Sequence, residues 1–469
     1  MGGSRSGKSS QSSMGKPHAV LVPFPAQGHV LPLMELSHRL VDRGFRVTFV
    51  CTEFDHARIV ASMQKEAHQS VDGIRLLSVP DGLDPDDDRG DLGRLCAFVL
   101  GFFEHLLEDL MRKINEREED KIFCVIADLC VSAVLSVPKK MGIPAVGFWG
   151  PSVGNLALCL HMPKLIESGI MSNNGEVLQD QIIQLSPAMP EMTTSYFIWN
   201  CFSDPITKKN VYLLLSGVSR AMTVVDGVLC NSFPGIEAPA LSLIPQAIPI
   251  GPLLSNYRVT KLVGHFWTED SSCLSWLDQQ QDSSVIYVAF GSFTIINQTQ
   301  FDELASGLEH TGRPFLWVVR PNLMSGSTVV YPENFLGRLA DRGKIVSWAP
   351  QQKVLAHPAV ACFLSHCGWN STTEGLSNGV PFLCWPYFGD QFLNKKYICD
   401  VWNIGIELKP DENGIITRGE VQKMVKDLLC DEGIKTRAMK MKEMAEEAVS
   451  SGGISEKFFD GFVEGIKRD

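Results

Sequence analysis

Short apolar, β-prone runs alternate along this chain with longer stretches whose apolar residues recur every three or four positions. His18 to Phe24 reads as a strand, Val30 to Arg43 as a helix with Leu33, Leu36 and Leu40 on one face and Gly44 as its stop, and Phe45 to Cys51 as the next strand. Lys121 to Ala127 repeats the strand signal and ends at Asp128, which can cap the short helix that follows. Strand and turn signals return from Asp226 to Ile250 and again from Val285 to Phe290. Gly291-Ser292 comes next, then a helix opened by an Asn297/Gln300 capping box and stopped at Gly312, then a strand from Phe315 to Val319. Helices are expected near 418–430, with Thr417 and Glu420 as a second capping box, and over 434–450. A last amphipathic helix carries Phe458, Phe459, Phe462, Val463 and Ile466 on one stripe. The proline- and aromatic-rich residues 186–204 read as a loop that could wall a pocket. Strand and helix alternate in both halves, which predicts an α/β protein of two parallel-sheet domains facing a cleft.

Length and composition narrow the function. At 469 residues the chain exceeds a single compact core. The expected division is a flexible leader over 1–16, a first domain over 17–250, a linker over 251–280 begun by Gly251-Pro252, a second domain over 281–450, and a terminal helix within 451–469. A net charge of −11 without a basic block argues against nucleic acid as a partner. The cysteines number 13 and form no CxxC pair, which suits free thiols in a reducing compartment, the cytoplasm. No run of 18 or more apolar residues suggests a membrane span, since Asp128 interrupts the longest candidate, Ile122 to Pro138. Asp460 and Glu464 on the terminal helix argue against a membrane anchor.

Two motifs are traps. Gly2 to Ser9 has Walker A spacing, but no strand precedes it and no apolar helix follows. Asp84 to Asp91 contains the D-x-D of some metal sites, yet a calcium loop would need Gly and Glu where Arg89 and Leu95 stand. No metal site is expected.

The densest chemistry lies between Trp348 and Gln391. Val360 to Leu364 reads as a strand, Ser365 to Gly368 as a turn, and Asn370 to Asn378 as a helix with Asn370 as N-cap, Gly379 as its end and Pro381 blocking continuation. Phe382 to Trp385 is the next strand. Such a unit points a helix N-terminus, with its free N–H groups and positive dipole end, at the carboxyl edge of a sheet, where anions bind. His366, Asn370 and Ser371 surround that end as donors, and Ser292 is a second candidate for a phosphate. Glu374 follows one turn later, roughly 6 Å along the axis. That step is close to the distance from a phosphate to a ribose, and a carboxylate can accept from two vicinal hydroxyls. Trp348 offers a flat face for a base, and Asp390 and Gln391 offer partners for sugar hydroxyls. Cys367 could be an activated thiol or a small packing residue. Near the N-terminus the loop FPAQGH has one glycine, so the G-x-G-x-x-G of a dinucleotide site is missing. His29 opens the helix after it, where the dipole disfavours the imidazolium and leaves a neutral ring able to act as a base.

The 44 residues from Trp348 to Gln391 resemble the plant secondary product glycosyltransferase box, the donor-site motif of plant family-1 UDP-glycosyltransferases. The likeness rests on WAPQ at 348–351, HPAV at 357–360, HCGWNS at 366–371, Glu374 four residues after Asn370, GVP at 379–381 and the closing Asp390-Gln391. Cys362, Thr373 and Gly389 depart from the usual residues. The resemblance extends from about residue 17 onward and implies the GT-B arrangement of two Rossmann-like domains, with the terminal helix crossing back onto the first. It implies UDP-sugar contacts at Gly28, Ser292, Trp348, Ala349, Gln351, His366, Gly368, Trp369, Asn370, Ser371, Glu374, Asp390 and Gln391, with Ser152 near the donor hexose. It further implies inverting transfer of glucose from UDP-glucose to a hydroxyl of a small lipophilic acceptor, without a metal, by a monomer. His29 would take the acceptor's proton and Asp128 would orient the ring. Ala133 stands where Trp is common five residues after this Asp, which opens the acceptor side. A nucleotide-sugar sensor that has lost its chemistry is the rival, opposed by the presence of both His29 and Asp128. A dehydrogenase is opposed by the missing glycines.

Overall fold

The computed structural model describes residues 16–62, 70–71, 73–83, 87, 89–254, 264–324, 329–339 and 342–468. Nearly all of the expected leader, with its Walker-like spacing, and Asp84, Asp86 and Asp88 of the acidic loop lie outside the described residues. So do residues 255–263 of the linker.

The first half carries β1 (His18–Val22), β2 (Arg46–Thr52), β3 (Ser70–Val71), β4 (Ile74–Val79), β5 (Cys124–Asp128), β6 (Ala145–Trp149), the short hairpin β7 (Ile182–Ile183) and β8 (Met192–Thr193), β9 (Val228–Cys230) and β10 (Ala247–Pro249). Eight of these form one sheet in the order β10-β9-β6-β5-β1-β2-β4-β3. All its pairings are parallel except β3 with β4. The second half carries β11 (Val285–Ala289), β12 (Phe315–Val318), β13 (Gly343–Val346), β14 (Val360–Ser365), β15 (Phe382–Cys384) and β16 (Gly405–Glu407), ordered β13-β12-β11-β14-β15-β16 and wholly parallel. Every residue of β1, β5, β6, β11, β12 and β14 is buried, as expected of strands covered on both faces by crossover helices.

This topology places two crevices. In the first sheet the chain runs outward from β1 to β2 and later returns to the other side of β1 as β5; in the second it reverses between β11 and β14. At such a reversal the helices diverge to opposite faces and leave a crevice at the carboxyl ends of the two strands.

Several boundaries differ from expectation. The first helix spans Gln27–Asp42, so His29 lies inside its first turn. The helix of the donor box spans Trp369–Ser377 with Gly368 as its N-cap, so Asn370 is a helical residue whose amide is free to reach outward. Asn297 and Thr417 cap as expected, accepting from Gln300 N at 2.8 Å and Glu420 N at 3.2 Å. The terminal helix, Ile454–Arg468, buries Phe459, Val463 and Ile466 against the first half, while Phe458 turns outward. Arg39 stacks over Phe459 at 4.3 Å, and Glu456 pairs with both Arg39 and Arg43. Among the described residues, no helix is long and apolar enough to cross a membrane.

Candidate active site

The two crevices open onto one cavity of ≈ 1620 Å³ that both halves line. At the first crevice His29 and Asp128 meet: Nδ1 of the ring lies 2.7 Å from Oδ2 of the carboxylate. Asp128 is fully buried, whereas the His29 side chain keeps 24% of its surface exposed. The two carboxylate oxygens divide the work. Oδ1 accepts from Cys130 N at 2.8 Å, capping the turn after β5, so Asp128 is an N-cap and an imidazole partner at once. With Nδ1 engaged, Nε2 is the ring atom left for a substrate proton. Burial pulls the ring's pKa down, but the charge and hydrogen bond of Asp128, and more distantly the charge of Asp390, outweigh it and hold His29 above the ordinary 6.5. This corrects the expectation from the helix dipole: a carboxylate at hydrogen-bond distance is a stronger influence than a helix terminus. Cys130 also falls within 4.8 Å of the pair, completing a group of three potential metal ligands among the described residues, but His29 and Asp128 are already spent on each other.

The second crevice gathers the donor-box residues. His366 follows β14, and its imidazole edge fits between two glycines: a Cβ on Gly291 or Gly368 would stand 2.4 or 2.5 Å from its Nε2. Gly291 also has φ +64°, a left-handed conformation that glycine adopts without strain. Burial, and then the charge of Arg320, push the His366 pKa down to about 4, so this ring is a neutral hydrogen-bonding group at ordinary pH. Cys367, at φ 64°, makes the tight turn into the helix and is wholly buried, hence a packing residue. Asn370 Nδ2 donates to Gly28 O at 2.8 Å, joining the N-termini of the two crevice helices across the cleft. Trp369 Nε1 donates to Asn231 O at 2.7 Å and ties the donor helix to the first half.

Further along this helix, Glu374 accepts from Gln351 at 2.6 Å and from Gln352 at 3.1 Å. Gln351 in turn donates to Ser371 Oγ at 2.9 Å and accepts from Tyr287 OH at 3.0 Å. Burial raises the Glu374 pKa to about 7 against the pull of the two glutamines, with Glu269 adding to the rise. Trp348, Ala349 and Ser292 line the same cavity. One face of Trp348 stacks on Trp267 at 4.6 Å and 27°. Asp390 faces His29 and accepts from Asn394 Nδ2 at 2.8 Å; burial raises its pKa.

Two expected sugar contacts are placed differently. The Gln391 carbonyl turns back to accept from Tyr387 N and Phe388 N at 2.8 and 3.2 Å, which leaves only its –NH₂ for a ligand. Ser152 is fully buried and caps the helix Val153–Glu167, with Oγ accepting from Asn155 Nδ2 at 2.7 Å. Its hydroxyl is therefore not presented to the cleft. The sequence alone does not single out Gln352 or Trp267. The first is the neighbour of Gln351; the second sits in a stretch with no regular pattern, and its only signal was a large aromatic in an expected linker.

A chamber beside the dyad is walled by Phe24, Leu92, Cys96, Trp149, Phe202 and Leu215, among others. Phe202 comes from the loop expected to wall a pocket, and its ring approaches Phe388 of the second half at 5.8 Å. The arrangement therefore offers an apolar chamber, a base beside it, and a polar, anion-receptive crevice opposite.

Comparison with known proteins agrees with this geometry. The sequence model of the family described as "UDP-glucoronosyl and UDP-glucosyl transferase" matches residues 232–448. UDP-glycosyltransferase 83A1 of Arabidopsis thaliana is 41% identical over 469 residues, covering 98% of both chains. Linamarin synthase 1 of Manihot esculenta is 35% identical, covering 96% of this chain and 97% of its own. UGT71G1 of Medicago truncatula, solved with UDP-glucose, superposes with a TM-score of 0.81 at 26% identity, covering 96% of this chain and 98% of its own. The chain belongs to the plant family-1 UDP-glycosyltransferases and has their GT-B fold.

Proposed function

We propose that the residues of the cleft divide the transfer of glucose from UDP-glucose to a hydroxyl of a small lipophilic metabolite as follows. Residues 17–250 hold the acceptor in the apolar chamber and residues 281–450 hold the nucleotide sugar. His29 Nε2 takes the acceptor's proton as its oxygen attacks the anomeric carbon from the face opposite the diphosphate. The carbon–oxygen bond to UDP breaks in the same step, which inverts the configuration. Asp128 fixes the ring's tautomer through Nδ1 and stabilises the imidazolium that forms. Ser292, His366, Asn370, Ser371 and the N-terminus of the helix Trp369–Ser377 receive the negative charge developing on UDP. Trp348, Gln351 and Glu374 hold the base and ribose, and Asp390 and the Gln391 amide face the hexose. The observation that carries this assignment is the 2.7 Å His29–Asp128 pair opening onto the same cavity as the donor crevice. The scheme takes a monomer as its working unit. All thirteen cysteines are free, which supports a reducing compartment.

The test is UDP release with a panel of phenols and alcohols, run with and without excess EDTA. Acceptor-dependent release that survives chelation is expected, because helix N–H groups and neutral donors carry the diphosphate. A strict requirement for Mg²⁺ or Mn²⁺ would overturn the metal-free scheme. UDP-glucose binding without release for any acceptor would favour a sensor.

A further inference from the structure

Three cationic side chains are buried among the described residues: Arg39, Lys395 and Arg320. Arg39 meets Glu456 and Lys395 meets Glu407. Arg320, only 2% exposed, meets no carboxylate in any described ion pair; its guanidinium donates to Asn322 Oδ1 at 2.8 Å and to the Thr294 carbonyl. Burial lowers its pKa to about 10, which leaves it charged at neutral pH. A buried charge without a counter-ion is costly and is retained where something supplies the missing charge.

The position of Arg320 says what that is. It stands just past the carboxyl end of β12, the neighbour of β11 at the second crevice. The carbonyl it grips belongs to the loop after β11, residues 291–294, which carries Ser292 and lines the cavity. Its field reaches His366 at the end of β14, on the crevice's other rim. Thr294 adds a second sign of a missing partner: it lines the cavity, and its Oγ1 is buried without a hydrogen bond. An uncompensated cation and an unsatisfied hydroxyl thus lie behind the same wall.

We propose that the counter-ion of Arg320 is the donor's diphosphate, and that Arg320 supplies the crevice's fixed positive charge from behind the 291–294 loop. This rests on the donor site assigned above. Arg320 does not touch the donor; it positions the loop and its field offsets the charge that grows on UDP as the glycosidic bond breaks, the office a divalent cation fills in other transferases.

The experiment compares binding of UDP and of uridine, which share every base and ribose contact and differ in the diphosphate. Arg320→Met should weaken UDP about tenfold, with uridine held within about twofold, and should lower kcat. Asn322→Asp keeps the fold and the shape of the contact but gives Arg320 an internal carboxylate. It should weaken UDP about fivefold, again sparing uridine, whereas a merely structural tie would be unchanged or strengthened. UDP and uridine weakening in step, or UDP binding unaltered in both variants, overturns the proposal. If Arg320→Met does not fold, Asn322→Asp decides alone. Wild-type protein that fails to bind UDP at all would instead remove the donor assignment.

Discussion

One histidine from each crevice, His29 in the first and His366 in the second, is driven in the direction opposite to the other. Both His29 and His366 sit where a strand of a parallel sheet gives way to a helix, beside a reversal of strand order. Burial lowers the pKa of both, yet His29 ends above the ordinary value and His366 falls to about 4. The difference lies in the nearest fixed charges. Asp128 and Asp390 face the first ring; Arg320 stands behind the second. Topology therefore supplies two similar locations, and on top of burial the neighbouring charges raise the first ring and lower the second further. The proposed reaction, which removes a proton on one side and sheds an anion on the other, needs that division.

The sharpest way to break this contrast is to remove the base. His29→Ala should cost transfer about 10²–10⁴-fold with little change in UDP-glucose affinity. Asp128→Ala should cost somewhat less, and the double variant should be little worse than His29→Ala, because groups acting as one unit are not additive. Acidic phenols, which need less help with the proton, should keep most residual activity. Turnover and donor binding of the three variants check this; losses that simply multiply would dissolve the dyad.

The second test separates the rings by pH. A general base works unprotonated and the His29 pKa is raised, so with His29 as the base kcat/KM should climb with pH along a limb lying above 6.5 and then level off. His366→Ala should lower the plateau about tenfold through one lost hydrogen bond to the leaving group, without moving the limb. Asp390→Asn should move the limb to lower pH, since one charge that raises His29 is gone. A limb that shifts with His366→Ala would mean that the second ring is the titrating one.

The smallest effect concerns Glu374. Its pKa of about 7 leaves it partly protonated in the free protein, while ribose hydroxyls donate best to the ionised form. Donor binding should therefore release protons near neutrality and weaken a few-fold as pH falls below 7. Calorimetry of UDP binding in buffers of different ionisation enthalpy measures that release. Glu374→Gln should abolish it; equal proton release in that variant would place the titration elsewhere.

Much of this was legible in the chain. The strand–turn–helix–strand grammar of 348–391 is local: apolar runs, a glycine after the helix and Pro381 specify it wherever the segment lies. The two-sheet architecture follows from the repeated alternation of strand and helix, and the donors of the second crevice are close in sequence, so their spacing carried the signal. Where local rules compete they gave way. Asn370 is a good N-cap by type, but Gly368 takes that place and the Asn370 amide spans the cleft to Gly28. Ser152 is also a good cap by type, and there the local rule prevails: the helix keeps its hydroxyl.

What only the tertiary structure decided is charge. A side chain's pKa depends on which ionised groups lie within a few ångströms and how much water remains, and neither quantity is written in sequence order. Asp128 stands 99 positions from His29, and Arg320 is nowhere near His366 in the chain. The helix dipole, the one electrostatic influence that can be read locally, pointed to a depressed His29, and a carboxylate brought in by the return of β5 beside β1 reversed it. The sequence by itself determined the elements, the two crevices' raw materials and the family's donor signature. Folding brought distant charges together, and so raised one ring and lowered the other.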